Sequence, residues 1–178
     1  MFIPSREFKS TIFLKYCNMD AKPLVAELYG KRVRVRACGL LVVDDQLLLA
    51  NHRSLAAGDF WSPPGGGVEF GESAEASLKR EFYEETGLDV KVLDFLFAYE
   101  FIQLPLHAVE LFFTVEMSGG TLRTGNDPEM NADEQLIQSV KFLTWDSIGA
   151  LAPEARHGIF NAVAEPSDIT RLTGYVAR

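Results

Sequence analysis

Between Ala74 and Leu88 the sequence reads AEASLKREFYEETGL, which gathers acids where a helix tolerates them least. At about 100° per residue, with Ala74 at zero, Leu78 falls roughly 40° and Phe82 roughly 80° round, an apolar arc of the kind that faces a core. By the same count Glu81, Glu85 and Glu84 fall at about 340°, 20° and 280°, beside that arc and partly within it, while Lys79, Tyr83, Ala76 and Arg80 take the opposite, solvent-facing side. Glu84 and Glu85 stand in the last turn before Gly87, the expected C′ glycine, where the helix dipole disfavours an acid by roughly 0.3–1 kcal/mol. Acids at i, i+3 and i+4 also repel one another. A divalent cation would turn both penalties into attraction, and oxygen-only ligands select a hard ion such as Mg²⁺ or Mn²⁺. An ordinary solvated acidic face is the alternative, and the angular position of the acids counts against it. Arg80 has Glu84 one turn on and Glu72 ahead of the helix, so it can pair with a carboxylate and orient the cluster. As a lone surface pair it would contribute only about 0.3–0.5 kcal/mol.

The elements that must position these acids follow from local pattern. Ser73 is the expected N-cap and Glu75 suits the first turn, so the helix should run to about Thr86. Arg32 to Val43 starts with strict alternation (RVRVR) and continues almost wholly apolar (ACGLLVV), the pattern of a strand that starts exposed and ends buried. Asp44 and Asp45 make a turn, and Leu47 to His52 returns as the second arm of a hairpin. The segment SLAAGDF is a loop, and WSPPGGGVE is a short strand broken by prolines and glycines. Gly65 to Gly67 reads either as a flexible turn or as backbone that approaches a ligand closely, which glycine permits. Leu88 to Ile102 reads as one or two strands, and His107 to Met117 alternates as a strand covered on both faces. Ser118 to Asp133 is a long acidic loop, a candidate binding loop. Ser139 to Leu143 is a strand, followed by two short helices in WDSIGAL and PEARHGIFNAV. The sum is an α/β fold, a mixed sheet with helices on both sides.

The whole chain bounds the rest. Its 178 residues suit one domain, residues 31–178, preceded by an N-terminal extension over residues 1–30, with a short helix expected from Pro23. The extension is rich in aromatics, which points either to a strand or helix packed on its own domain or to a dimerisation arm, and only the second would make a homodimer. A net charge of −8 leaves no basic footprint for a nucleic-acid polymer. Cys17 and Cys38 show no metal-ligand spacing, so a reducing, cytoplasmic setting is expected. No run reaches the ~18 apolar residues of a membrane span, and the charged N-terminus lacks the continuous apolar region of a signal peptide. His52, His107 and His157 have no spacing that suggests a ligand set, so each reads as structural or exposed.

Gly66, five residues, Glu72, seven residues, then Arg80, Glu81, Phe82, Tyr83, Glu84, Glu85, Thr86, Gly87 and Leu88 match the Nudix box at each fixed position, with aromatic Phe82 where the family more often has an aliphatic residue. The chain therefore resembles the Nudix hydrolases over about Arg32 to Val163. The resemblance implies the Nudix-type α/β/α sandwich and cleavage of a nucleoside diphosphate linked to another moiety, such as a nucleotide sugar, ADP-ribose or a nucleoside triphosphate. It implies Mg²⁺ or Mn²⁺ held by Glu81, Glu84 and Glu85 with the Gly66 carbonyl. It also implies a further acid from beyond the box, for which Glu134 stands in the usual place before a strand, Glu129 is second choice and Glu110 third. Phe60 and Trp61, just ahead of the box, either stack a base or belong to the core. Two other readings stay open. A non-catalytic, nucleotide-sensing domain of this kind would usually lack the glutamates. An isoprenoid diphosphate isomerase would need catalytic residues outside the box that this sequence does not display.

Overall fold

The computed structural model describes residues 30–53, 59–104, 106–125 and 136–176. The helix expected from Pro23, the N-terminal extension up to Tyr29, the first five residues of the expected loop SLAAGDF, and the acids Glu129 and Glu134 lie outside the described residues, while Asp59 and Phe60 of that expected loop belong to a strand.

The first strand, β1 (Val33–Leu40), is exposed at its start and fully buried over its last four residues, as its sequence predicts. β2 (Val42–Val43) and β3 (Gln46–Arg53) form the hairpin, and Asp44 and Asp45 both turn at positive φ, 50° and 60°. After β4 (Asp59–Ser62), Pro63 and Pro64 break the chain, and β5 (Gly65–Gly67) is the glycine run. Helix α1 (Ala74–Thr86) follows, then the long pair β6 (Leu88–Gln103) and β7 (Leu106–Gly120). The chain continues through β8 (Ile137–Thr144), the short helix α2 (Trp145–Gly149), three 3₁₀ turns (Pro153–Ala155, Gly158–Asn161, Pro166–Arg171) and β9 (Gly174–Val176).

Two sheets result. One is mixed, in the order β5-β1-β7-β6-β9, with β1 parallel to β7 and antiparallel to β5. The other is built on β3, which pairs with β2 and β4 along one edge and with β8 along the other. Strand alternation divides the core in two. Ala37, Leu41, Leu48, Ala50, Phe113 and Val115 pack under Leu78 and Phe82 of α1. Cys38, Leu40, Leu47, Leu49 and Phe112 face the other way, against Ile148 of α2 and Ile159, Phe160 and Ile169 of the 3₁₀ turns. Helical elements therefore cover both sides, the α/β/α sandwich the sequence suggests.

Several elements differ from the sequence reading. Residues 88–103 are a single strand, kept continuous by register shifts near Val90, Phe95 and Phe97 that absorb the mismatch with β7. β7 runs on to Gly120, so the expected loop begins later than Ser118. The second expected helix is a set of 3₁₀ turns, since His157 already caps at Ile159 and the proline at 166 starts a new turn. β9, which pairs in parallel with Phe97 to Tyr99, carries too short a pattern to read from sequence.

Candidate active site

Helix α1 ends as its sequence dictates. Ser73 accepts the Ala76 N–H at its start, and Gly87, at φ 72°, closes it with its N–H on the Tyr83 carbonyl. Leu78 and Phe82 are wholly buried, and Glu85 is 9% exposed, on the core side as the helical count predicts. Gly66 sits so close to α1 that a Cβ placed there would fall onto the Glu81 carboxylate and push that side chain out of its present position. The β5 run is tied down on every side. Its residues pair with Arg36, Ala37 and Cys38 of β1, the Gly67 carbonyl accepts Ser77 Oγ at 3.0 Å, and the Gly65 N–H donates to Glu85 Oε2 at 3.0 Å.

Arg80 departs from the helical count. Its Cα lies on the outer side, but the side chain is only 30% exposed because it folds back across the acids. Nε and Nη2 donate to Glu72 at 3.2 and 3.0 Å, Nη1 to Glu81 at 2.9 Å and Glu84 at 3.3 Å, and Nη2 also reaches the Gly67 carbonyl at 3.2 Å. A single planar cation thus ties the ends of the box together, using a fork that lysine cannot reproduce. The Arg80 hydrogen bonds hold the Glu72 carboxyl below its ordinary pKa. Burial has the opposite effect on Glu81 and pushes it up despite Arg80. Burial also pushes Glu85 up to about 8. An Arg80→Lys variant is expected to lose about 10- to 100-fold in Mn²⁺ affinity or kcat, which a Mn²⁺ titration followed by turnover at saturating metal would separate.

Among the described residues no three acid, cysteine or histidine side chains converge on one point as a formed metal cage. The donor set nonetheless fits a hard divalent ion: Glu81 and Glu85 are carboxylates whose charge burial disfavours, Glu84 adjoins them, and all offer oxygen. Two features here carry no periodic signal in the sequence. Residues 121–125 lie along the end of α1 and return backbone N–H groups to its last carbonyls, Thr121 to Gly87 at 3.1 Å, Arg123 to Thr86 at 2.8 Å and Gly125 to Glu85 at 2.8 Å. The Arg123 guanidinium also lies over the Tyr83 ring, 5.6 Å from its centroid.

The second feature stands behind β5. Arg36 donates to the Gly65 carbonyl at 2.7 Å and to Glu110 Oε1 at 3.0 Å. Glu110 is 1% exposed, and its Oε2 lies 2.8 Å from His157 Nε2. Burial raises the Glu110 carboxyl, but His157 and Arg36 outweigh it and leave it below the ordinary range. Glu110 thus gives Oε1 to an Arg36 hydrogen bond and holds Oε2 in close contact with His157 without an aligned hydrogen bond, a placement that its position in an otherwise apolar alternation hinted at. Phe60 is half-buried with its ring edge toward His157, 6.1 Å between centroids, and Trp61 is a core residue at 8% exposure. His52 is held near a pKa of 4 by burial first and by Arg36 and His157 next, so it stays neutral.

The sequence profile of the NUDIX domain matches residues 31–164. The chain belongs to the Nudix family. It is 33% identical over 91 residues to an ADP-ribose pyrophosphatase of Methanocaldococcus jannaschii, covering 50% of this chain and 54% of that one. It is 36% identical over 93 residues to a MutT-like protein of Streptomyces ambofaciens, covering 52% and 58%. These alignments span little more than half the length of either relative. Among solved structures, a UDP-X diphosphatase superposes with a TM-score of 0.61 at 18% identity, covering 96% of this chain and 82% of that one. At that identity the likeness speaks for the Nudix fold alone. No helix among the described residues is long and apolar enough to cross a membrane.

Proposed function

We propose that this Nudix domain hydrolyses the pyrophosphate linkage of a small nucleoside diphosphate derivative. The observation that carries the reading is the set of mutually repelling carboxylates at the end of α1, Glu85 buried and Glu81 and Glu84 half-buried, with Glu81 and Glu85 pushed toward the protonated form. Glu81, Glu84, Glu85 and the Gly66 carbonyl would hold Mg²⁺ or Mn²⁺. The bound ion would neutralise the phosphates and make a water nucleophilic. Arg80 keeps Glu81 and Glu84 oriented, and the Gly65 N–H keeps Glu85 in place. Glu134 would take the proton from the attacking water. Phe60 presents a half-buried ring that could pack on the organic part of the substrate, while Trp61 belongs to the core.

The similarity to an ADP-ribose pyrophosphatase makes ADP-ribose the first compound to assay, ahead of nucleotide sugars and nucleoside triphosphates. A phosphatase-coupled screen of these compounds with Mg²⁺ and with Mn²⁺ is expected to release phosphate from at least one, and to stop in excess chelator. Turnover that survives the chelator would refute the metal-dependent reading. In the same assay Glu134→Gln should lose the acidic limb of the pH–rate profile while Mn²⁺ affinity persists; near-wild-type kcat would remove Glu134 from the role.

A further inference from the structure

We propose that Arg36 is a positioning residue of the acid site, held by Glu110 and His157, which fixes Gly65 and through it the carboxylate of Glu85. The inference rests on the reading of Glu85 as a working acid of this site. The connection is continuous. Glu85 Oε2 accepts the Gly65 N–H at 3.0 Å, the Gly65 carbonyl accepts Arg36 Nη2 at 2.7 Å, and Arg36 Nη1 donates to Glu110 Oε1 at 3.0 Å. Glu110 Oε2 then meets His157 Nε2 at 2.8 Å. The far end is immobile. His157 Nδ1 accepts the Ile159 N–H, and the His157 N–H is bonded to the Trp61 carbonyl at 2.8 Å. Its ring is wedged among Phe60, Tyr99, Phe101 and Phe112, with centroids 5.4–6.1 Å away.

Stability alone does not account for such an arrangement. A buried ion pair repays little more than its own desolvation, and apolar side chains of the same volume serve a core as well or better. Arg36 moreover spends one arm of its fork on a backbone carbonyl in β5, the strand that carries Gly66 and abuts Glu81. Glu110 is 1% exposed, with Oε1 on Arg36 and Oε2 against His157, so it faces the brace and not the acids of α1. What the three side chains do is brace β5 against the 3₁₀ turns from the face opposite α1, so that the glycine run cannot shift without breaking a charged contact. Without that brace the Gly65 peptide is held against Glu85 by its ladder to β1 and its contacts with α1 alone.

The test uses the full chain, Mn²⁺ and the compound chosen by the coupled screen. Arg36→Met/Glu110→Gln removes both charges together, so no lone buried charge is left to unfold the protein. We expect kcat to fall about 10- to 100-fold, KM to change much less, and the Mn²⁺ affinity measured without substrate to weaken by a comparable factor. Arg36→Lys should recover part of both. Should the paired variant not fold, Glu110→Gln alone keeps the shape of the side chain and should show smaller losses in the same two quantities. Wild-type kcat and Mn²⁺ affinity in the folded variant, with only the melting temperature moved, would overturn the proposal. Glu85→Gln is measured alongside. If it retains wild-type kcat, the reading of the acid site itself fails; if it is inactive while the Arg36 variants are unimpaired, only the positioning role fails.

Discussion

Glu85→Gln is expected to lower kcat by roughly 10²–10⁴-fold, the rate equivalent of the several kcal/mol that a well-held cation supplies. The same change should stabilise the metal-free protein in a pH-dependent way. Burial pushes the Glu85 carboxyl up from its ordinary 4.5 to about 8; the Gly65 N–H and Arg36 pull it back, and Glu81 and Glu84 add to the rise. Between those two pH values the folded chain keeps a proton that the unfolded chain has released. Stability from this group therefore falls as pH rises from about 4.5 and levels off above about 8. Glutamine has no such proton, and its amide oxygen can still accept the Gly65 N–H. The melting temperature of the variant should thus gain on the wild type across that window. Divalent metal reverses the order. It binds the ionised form, so the rise in wild-type melting temperature on adding Mn²⁺ should grow with pH up to about 8. A difference between the two proteins that stays flat with pH would mean that Glu85 is not the buried acid described here.

Gly125→Ala, well outside the box, should do comparable harm. A Cβ at Gly125 would overlap the Glu84 carbonyl oxygen and stand 2.6 Å from the Glu85 Cα. These are backbone atoms of the last turn of α1 and cannot swing aside as a side chain tip does. Either the strap over residues 121–125 lifts off, with loss of its hydrogen bonds to Glu85 and Thr86, or the turn that presents Glu84 and Glu85 is displaced. Overpacking of this kind costs about 3 kcal/mol, the upper end of its usual range. A shift near 1 Å in the acids is worth about 10² in rate. Thermal melts with kcat measured well below the transition would distinguish the two contributions. A variant that melts and turns over like the wild type would show that the strap does not restrain the helix end.

Much of the site was legible because its information is local. Ser73, Gly87 and the spacing from Gly66 to Leu88 specify one helix, its two ends and the side on which Glu81 and Glu85 lie, all by hydrogen bonds and repeats within a few turns. Arg80 shows where such counting stops. A helical wheel places its Cα on the outer side, but a side chain of that length, drawn by three carboxylates, lies back across the helix surface. The strap has no repeat at all, since its function lies in backbone N–H groups that any sequence could supply, and only Gly125 betrays it. The Arg36–Glu110–His157 brace joins three residues from separate parts of the chain, so only the oddity of an acid between Ala108 and Phe112 signals it beforehand.

The parallel pairing of β1 with β7 also bears on how the molecule comes to exist in time. Arg36 and Glu110 are 74 positions apart along the chain, and nothing shorter than the α1–β6–β7 excursion brings them side by side. The helix that carries the acids and the β6–β7 hairpin can both form from near neighbours. The β1–β7 ladder must wait for closure of a long loop, whose entropy is paid before any contact returns it. Refolding should then be slow for a chain of this size, with α1 present early and its carboxylates still solvated. The final cooperative step is the one that buries Glu110 and Glu85 together, so competence for chemistry should arrive with the last phase of refolding.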